Sequence, residues 1–141
     1  METNCKDMPF LAETAFLNAD LIICSKQPLL DFARELERFG LMMLHTDQME
    51  DNLWQATFEL EYESGNDRFN AILSGILDSI ESLPVALQEQ WHAFESRTLD
   101  LGFEAGTETR HYTRHIDPAL LNRMIKNRLV LAITIYSPVA D

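Results

Sequence analysis

The stretch from Leu53 to Glu63, LWQATFELEYE, constrains the fold more than any other part of the chain. Trp54, Ala56, Phe58, Leu60 and Tyr62 fall on one parity; Gln55, Thr57, Glu59, Glu61 and Glu63 fall on the other. A strand sends successive side chains to opposite faces, so this pattern predicts a strand with one apolar face and one acidic, solvated face. Such a strand needs a sheet whose apolar side is covered by helices and whose other side stays wet.

The surrounding chain supplies the other layers. Ala19 to Ser25 contains the run Leu21-Ile22-Ile23-Cys24, which suits a central strand covered on both faces. Pro28 suits a first helical turn, Leu29, Phe32, Ala33, Leu36 and Phe39 recur at helical spacing, and Gly40 is a stop. Leu41 to Thr46 returns as a strand, and the polar cluster 46–52 reads as a hairpin loop into the opening strand. Ser64 or Asn66 is the expected cap of a strongly amphipathic helix marked by Phe69, Ile72, Leu73, Ile76, Leu77, Ile80 and Leu83. Pro84 breaks it, and Leu87, Trp91 and Phe94 continue at helical spacing. Arg97 to Glu104 alternates again, with Leu99, Leu101 and Phe103 inward. A loop over 106–115 follows, with room for a short edge strand. Asp117-Pro118 caps a helix over 119–128, and LVLAITIY (129–136) reads as a second central strand.

The predicted order is therefore β-α-β-β-α-β-α-β. It describes an α+β protein with a mixed, mainly antiparallel sheet and helices on one face. Its first six elements match a ferredoxin-like split βαβ core. Residues 1–18 are expected to form a partly ordered arm, and 19–138 a single domain, which 141 residues can supply with a real core.

Charge narrows the function classes. Between Phe39 and Ser96 stand eleven Asp and Glu against Arg68 alone, so this segment holds −10 of the net −12. That charge repels nucleic-acid phosphate and favours a basic partner, whose encounter it accelerates. Glu59, Glu61 and Glu63 are expected in a row about 7 Å apart along one strand face. Asp100 and Glu104 would extend the row into an acidic plate, with Asp47, Glu50 and Asp51 beside it. The competing reading is a solvated face that resists aggregation, although like charges in line exceed what that requires.

Other constellations carry less. His111 and His115 are spaced i, i+4 near Glu108, but in a loop, and no HExxH pattern is present. Arg110, Arg114 and His115 could form a small anion site. Arg123, Lys126 and Arg128 suit a helix C-terminus, where cations meet the dipole. Cys5 and Cys24 have no metal-ligand spacing, and a reduced cytoplasm is expected. The N-terminus shows no signal-peptide pattern and no apolar run is long enough for a membrane span. No nucleotide-binding or nucleophile-elbow motif is present, and no cofactor, metal or catalytic residue is expected.

The acidic strand at 59–63, the segment RTLDLGFEAGTETR (97–110) and the final LAITIY (131–136), with the size and acidity of the chain, resemble immunity proteins of bacterial contact-dependent and type VI toxin systems. The resemblance implies a cytoplasmic antitoxin that binds its toxin stoichiometrically, and it carries no functional residue over. The expected function is a non-enzymatic binding protein, monomer or homodimer, that neutralises a basic toxin through Asp47, Glu50, Asp51, Glu59, Glu61, Glu63, Asp100 and Glu104. The alternative is a small metal- or ligand-binding domain or enzyme using the His111/His115 region.

Overall fold

A computed structural model describes residues 13–61, 68–108 and 110–138. The described elements run β1 (Ala15–Ser25), α1 (Leu30–Glu37), β2 (Leu41–Gln48), a short 3-10 turn (Glu50–Asn52), β3 (Trp54–Leu60), α2 (Phe69–Glu81), α3 (Val85–Ala93), β4 (Ser96–Glu104), α4 (Pro118–Lys126) and β5 (Val130–Tyr136). The sheet order is β2-β3-β1-β4-β5. Every neighbouring pair is antiparallel except β4 and β5, which run parallel. The first four strands thus have the split βαβ order expected of a ferredoxin-like core, and α4 with β5 adds a parallel crossover at one side.

All the described helices share one face of the sheet. Ala19, Leu21 and Ile23 of β1, Ala56 and Phe58 of β3, and Leu99, Leu101 and Phe103 of β4 are buried in a single core with Phe32 and Leu36 of α1, Ile72, Ile76 and Ile80 of α2, Trp91 of α3, and Leu120 and Met124 of α4. The alternation on β3 and β4 has this cause: one parity faces core, the other faces water. Pro84 acts as expected, and α2 and α3 meet at a bend of 110°. That bend brings Trp91 into the core, where its indole N–H donates to the Asn127 carbonyl at 3.0 Å and ties α3 to the end of α4. Asp117 caps α4 as expected, accepting from the Ala119 amide at 3.0 Å.

Several expectations require correction. The run 129–136 is a strand, but β5 lies at the sheet's edge rather than its centre, with Ile133 and Ile135 62% and 66% exposed. An apolar run looks the same whether helices cover it or not, and α4 packs inboard of β5. The first strand is central, yet its second face carries no helix among the described residues, and Asp20, Ile22 and Cys24 are only half-buried there. It also starts at Ala15, inside the stretch expected to be an arm. α4 ends at Lys126, and Phe39 is exposed. The caps proposed at Ser64 or Asn66 lie outside the described residues, as do Tyr62, Glu63, Cys5 and the first part of the expected arm. Among the described residues the loop after β4 contains no strand, and no single helix is long and apolar enough to cross a membrane.

Candidate functional site

The sheet face that carries no described helix is built from the even positions of β1, β4 and β5 and the odd positions of β3. At its centre Asp20 pairs with Glu59 on one side and Asp100 on the other. The same row ends in Met42 on β2 and Ala132 on β5. Directly opposed side chains in adjacent antiparallel strands stand about 5 Å apart at Cβ, so these carboxylates are immediate neighbours.

Local structure aims them. A bulge in β1 between Phe16 and Asn18 switches parity, which puts Phe16 into the core and Asn18 onto the open face. The Asn18 carboxamide N–H group then donates to Glu59 Oε2 at 3.1 Å and more weakly to Asp20 Oδ1 at 3.4 Å. Thr134 donates to Asp100 Oδ1 at 2.8 Å. These are neutral donors. No Lys or Arg stands on this face among the described strand residues: Arg97 pairs with Ile23 on the helix side and donates to the Trp91 and Phe94 carbonyls at the end of α3. Partial burial, then the charges of Glu59 and Asp100, push the Asp20 carboxyl up to about 6, with His45 pulling the other way.

The expected site residues divide into groups. Glu59 and Asp100 are brought together by Asp20, which stands next to the apolar run Leu21–Cys24 and is not among the expected site residues. Glu104 has the same parity as Asp100 and sits at the far end of β4, opposite Ala15 and Tyr136. Asp47 lies on the open face opposite Gln55, its carboxylate 3.9 Å from the His45 ring. Glu50 and Asp51 are exposed in the turn beyond it, where Asp51 and Asn52 adopt positive φ of 64° and 61°. This corner is about 13 Å along β3 from Glu59, four residues away. The expected line Glu59-Glu61-Glu63 is not formed by β3: the strand ends at Leu60, Glu61 lies beyond it, and Glu63 is outside the described residues. The acidic row runs across the strands instead of along one.

Two other acids of the 39–96 segment, Asp78 and Glu81, are paired with an arginine. Arg123 on α4 donates to Glu81 through Nε at 3.1 Å and Nη2 at 2.8 Å, and Nη2 also reaches Asp78 at 2.7 Å. The Arg123 hydrogen bond holds the Glu81 carboxyl below its ordinary value. Arg123 therefore joins α4 to α2 rather than serving the helix dipole. His111 and His115 are exposed in an irregular loop, and no group of three His, Cys, Asp or Glu among the described residues could hold a metal ion.

No family model matches the chain, and neither a curated protein nor a solved structure does.

Proposed function

We propose that the chain is a non-enzymatic binding protein whose open sheet face receives a basic partner. The observation that carries this reading is the Glu59–Asp20–Asp100 row, placed side by side with only neutral hydrogen-bond donors among the described residues and with its central carboxyl pushed up to about 6. Like charges held together in this way raise the energy of the unbound protein, and a Lys or Arg entering the row relieves it. The net charge of −12 steers such a partner inward.

The instance that suits size, charge and the resemblance is a cytoplasmic immunity protein that neutralises a basic toxin, such as a nuclease. A row of carboxylates presents to the toxin's cationic cleft the charge that nucleic-acid phosphate presents to it. Asp47, Glu50 and Asp51 would extend the footprint from the hairpin corner, and Glu104 from the opposite end. Inhibition then follows from covering the cleft, without chemistry on this chain.

The test is titration against the product of a neighbouring toxin-like reading frame at low and high salt. The wild-type chain should bind in a one-to-one ratio, more weakly at high salt. The triple variant Asp20→Asn, Glu59→Gln, Asp100→Asn should lose affinity and most of its salt dependence. Binding that ignores both changes would remove the open face from the interface.

A further inference from the structure

The two edges of the sheet are finished differently. β2 is bulged between Met43 and His45, the Glu37 carboxylate accepts from the Met43 amide at 3.2 Å, and Asp47 adds a charge. Each of these features keeps another strand from joining. β5 has no charged residue from Val130 to Tyr136 and no break in its register with β4. The Tyr136 carbonyl accepts from the Ala105 amide at 2.8 Å, so the even residues of β5 turn their backbone groups toward β4. The N–H and C=O of one strand residue point the same way. Those of Leu131, Ile133 and Ile135 therefore point out of the sheet, where no described strand meets them.

Side chains carry the same surface into the helical layer. Ile133 and Ile135 pair with the buried Leu101 and Phe103, so they stand on the helix side of the sheet, and they are exposed. On α4, Leu120 and Met124 enter the core and Arg123 turns toward α2, which packs over β1 and β3. Leu121 and Ile125, one turn apart, are left on the flank toward the β5 edge, 39% and 73% exposed. Strand edge and helix flank form one apolar strip.

The strip is its own complement. An antiparallel pair of β5 strands centred on Ile133 sets Leu131 against Ile135, Ala132 against Thr134 and Val130 against Tyr136. This register keeps the odd side chains of both copies on the helix side, and the outward backbone groups exchange about six hydrogen bonds. The exposed parts of Leu121, Ile125, Val130, Ile133, Ile135 and Tyr136 amount to roughly 650 Å², against about 800 Å² per partner in a stable interface. Charge permits the approach of a second copy at this edge and opposes it elsewhere. Residues 118–140 contain no Asp or Glu, and the acidic strands β2 and β3 lie at the far end of the sheet. Asp100 and Glu104 stand one strand in, so their counterparts would be at least three strand spacings away, about 14 Å, beyond the Debye length of about 8 Å.

We infer that the β5 edge and the Leu121–Ile125 flank of α4 form a homodimer interface, which joins two sheets into one across a two-fold axis at Ile133. The interface leaves the acidic row of each copy open and does not rest on the function proposed for that row.

The test is sedimentation velocity of the full chain from about 1 to 300 µM, which brackets a micromolar dissociation constant. The wild type should pass from monomer to dimer and stop there, because a two-fold interface closes. Each copy has its own core, so the dilute monomer should stay folded. Ile133→Lys should raise the dissociation constant about a hundredfold, because it would bury two unpaired ammonium groups, and Ile125→Lys about tenfold. Leu44→Lys, at an exposed position on β2, should leave it unchanged. Amide spectra of each variant check that the fold is kept. In a dimer mixed from isotope-labelled and unlabelled copies, the Hα atoms of Ala132 and Thr134 should show a contact between copies, as a pair without mutual hydrogen bonds does. A wild type that stays monomeric throughout, or a dimer that survives Ile133→Lys or is lost in Leu44→Lys, would overturn the interface. A dimer without the Ala132–Thr134 contact would overturn the axis at Ile133.

Discussion

Gly102 and Asn18 face each other across β4 and β1, and a Cβ built on Gly102 would stand 2.6 Å from Asn18 Oδ1. The absence of a side chain at Gly102 is what lets the Asn18 carboxamide lie over the open face. From there it donates to Glu59 and Asp20 and partly offsets the repulsion between them.

Gly102→Ala should therefore act on the carboxylates rather than on the core. Alanine removes the entropic penalty of a strand glycine, about 0.5–1 kcal/mol, but forces the Asn18 side chain to rotate and lose its charged acceptors. The two effects nearly cancel in stability, so urea melts should shift by less than about 1 kcal/mol. The Asp20 carboxyl should rise further, because its ionised form loses the Asn18 N–H that reaches it at 3.4 Å. Carboxyl-detected NMR titration would check this; an unmoved Asp20 would show that Asn18 does not tune the row.

Asp20 also sets a sign for the pH dependence. Its folded value of about 6 lies above its ordinary 3.8, so the folded state binds the proton more tightly. Its stabilising effect is complete below about pH 4 and is lost as pH rises through about 6. Asp20→Asn should remove that trend and stabilise the protein at pH 7. The carboxyl is only half-buried, so solvent screening reduces the gain to about 1 kcal/mol. Paired urea melts of both proteins at pH 7 and pH 5 measure it, and a larger gap at pH 5 than at pH 7 would contradict the argument.

Much of this fold was legible because its signals are local. The alternation on β3 and β4, the break at Pro84 and the cap at Asp117 each depend on a few adjacent residues, and each formed as read. Two features depend on the sheet as a whole and were misread or missed. The apolar run of β5 reads as a central strand, because periodicity cannot distinguish a strand under helices from one beside them. Asp20 carries no local signal within LNADLIICS; only its parity and the split βαβ order together place it between Glu59 and Asp100. The row along β3 is not formed because the strand stops at Leu60, three residues short of Glu63.

Arg123 offers the opposite pH trend. The Glu81 carboxyl lies below its ordinary value because Arg123, and then Asn127, donate to it. This contribution is present above about pH 4.5 and is lost as pH falls through the folded value. Arg123→Ala should cost about 1 kcal/mol at pH 7, as expected for a bidentate pair still open to solvent, and less at pH 3. Loss of the α2–α4 tie should also speed amide exchange in α4 more than in α2, which hydrogen-exchange mass spectrometry would resolve.

Leu101 and Ile133 occupy one register pair yet should respond very differently to substitution. Leu101 is 1% exposed beneath the helices, and Leu101→Ala should cost about 3 kcal/mol through lost burial and the cavity left behind. Ile133 is 62% exposed, and Ile133→Lys should change stability by no more than about 0.5 kcal/mol. Its effect should appear elsewhere. β5 carries no charge from Val130 to Tyr136 and, among the described residues, presents an unpaired strand edge, the arrangement that invites pairing with another strand. A lysine at its centre opposes that pairing by charge and desolvation. Sedimentation velocity across a concentration series should show less self-association for Ile133→Lys than for the wild type. A destabilisation comparable to that of Leu101→Ala would instead mean that α4 or the loop after β4 covers β5 in solution.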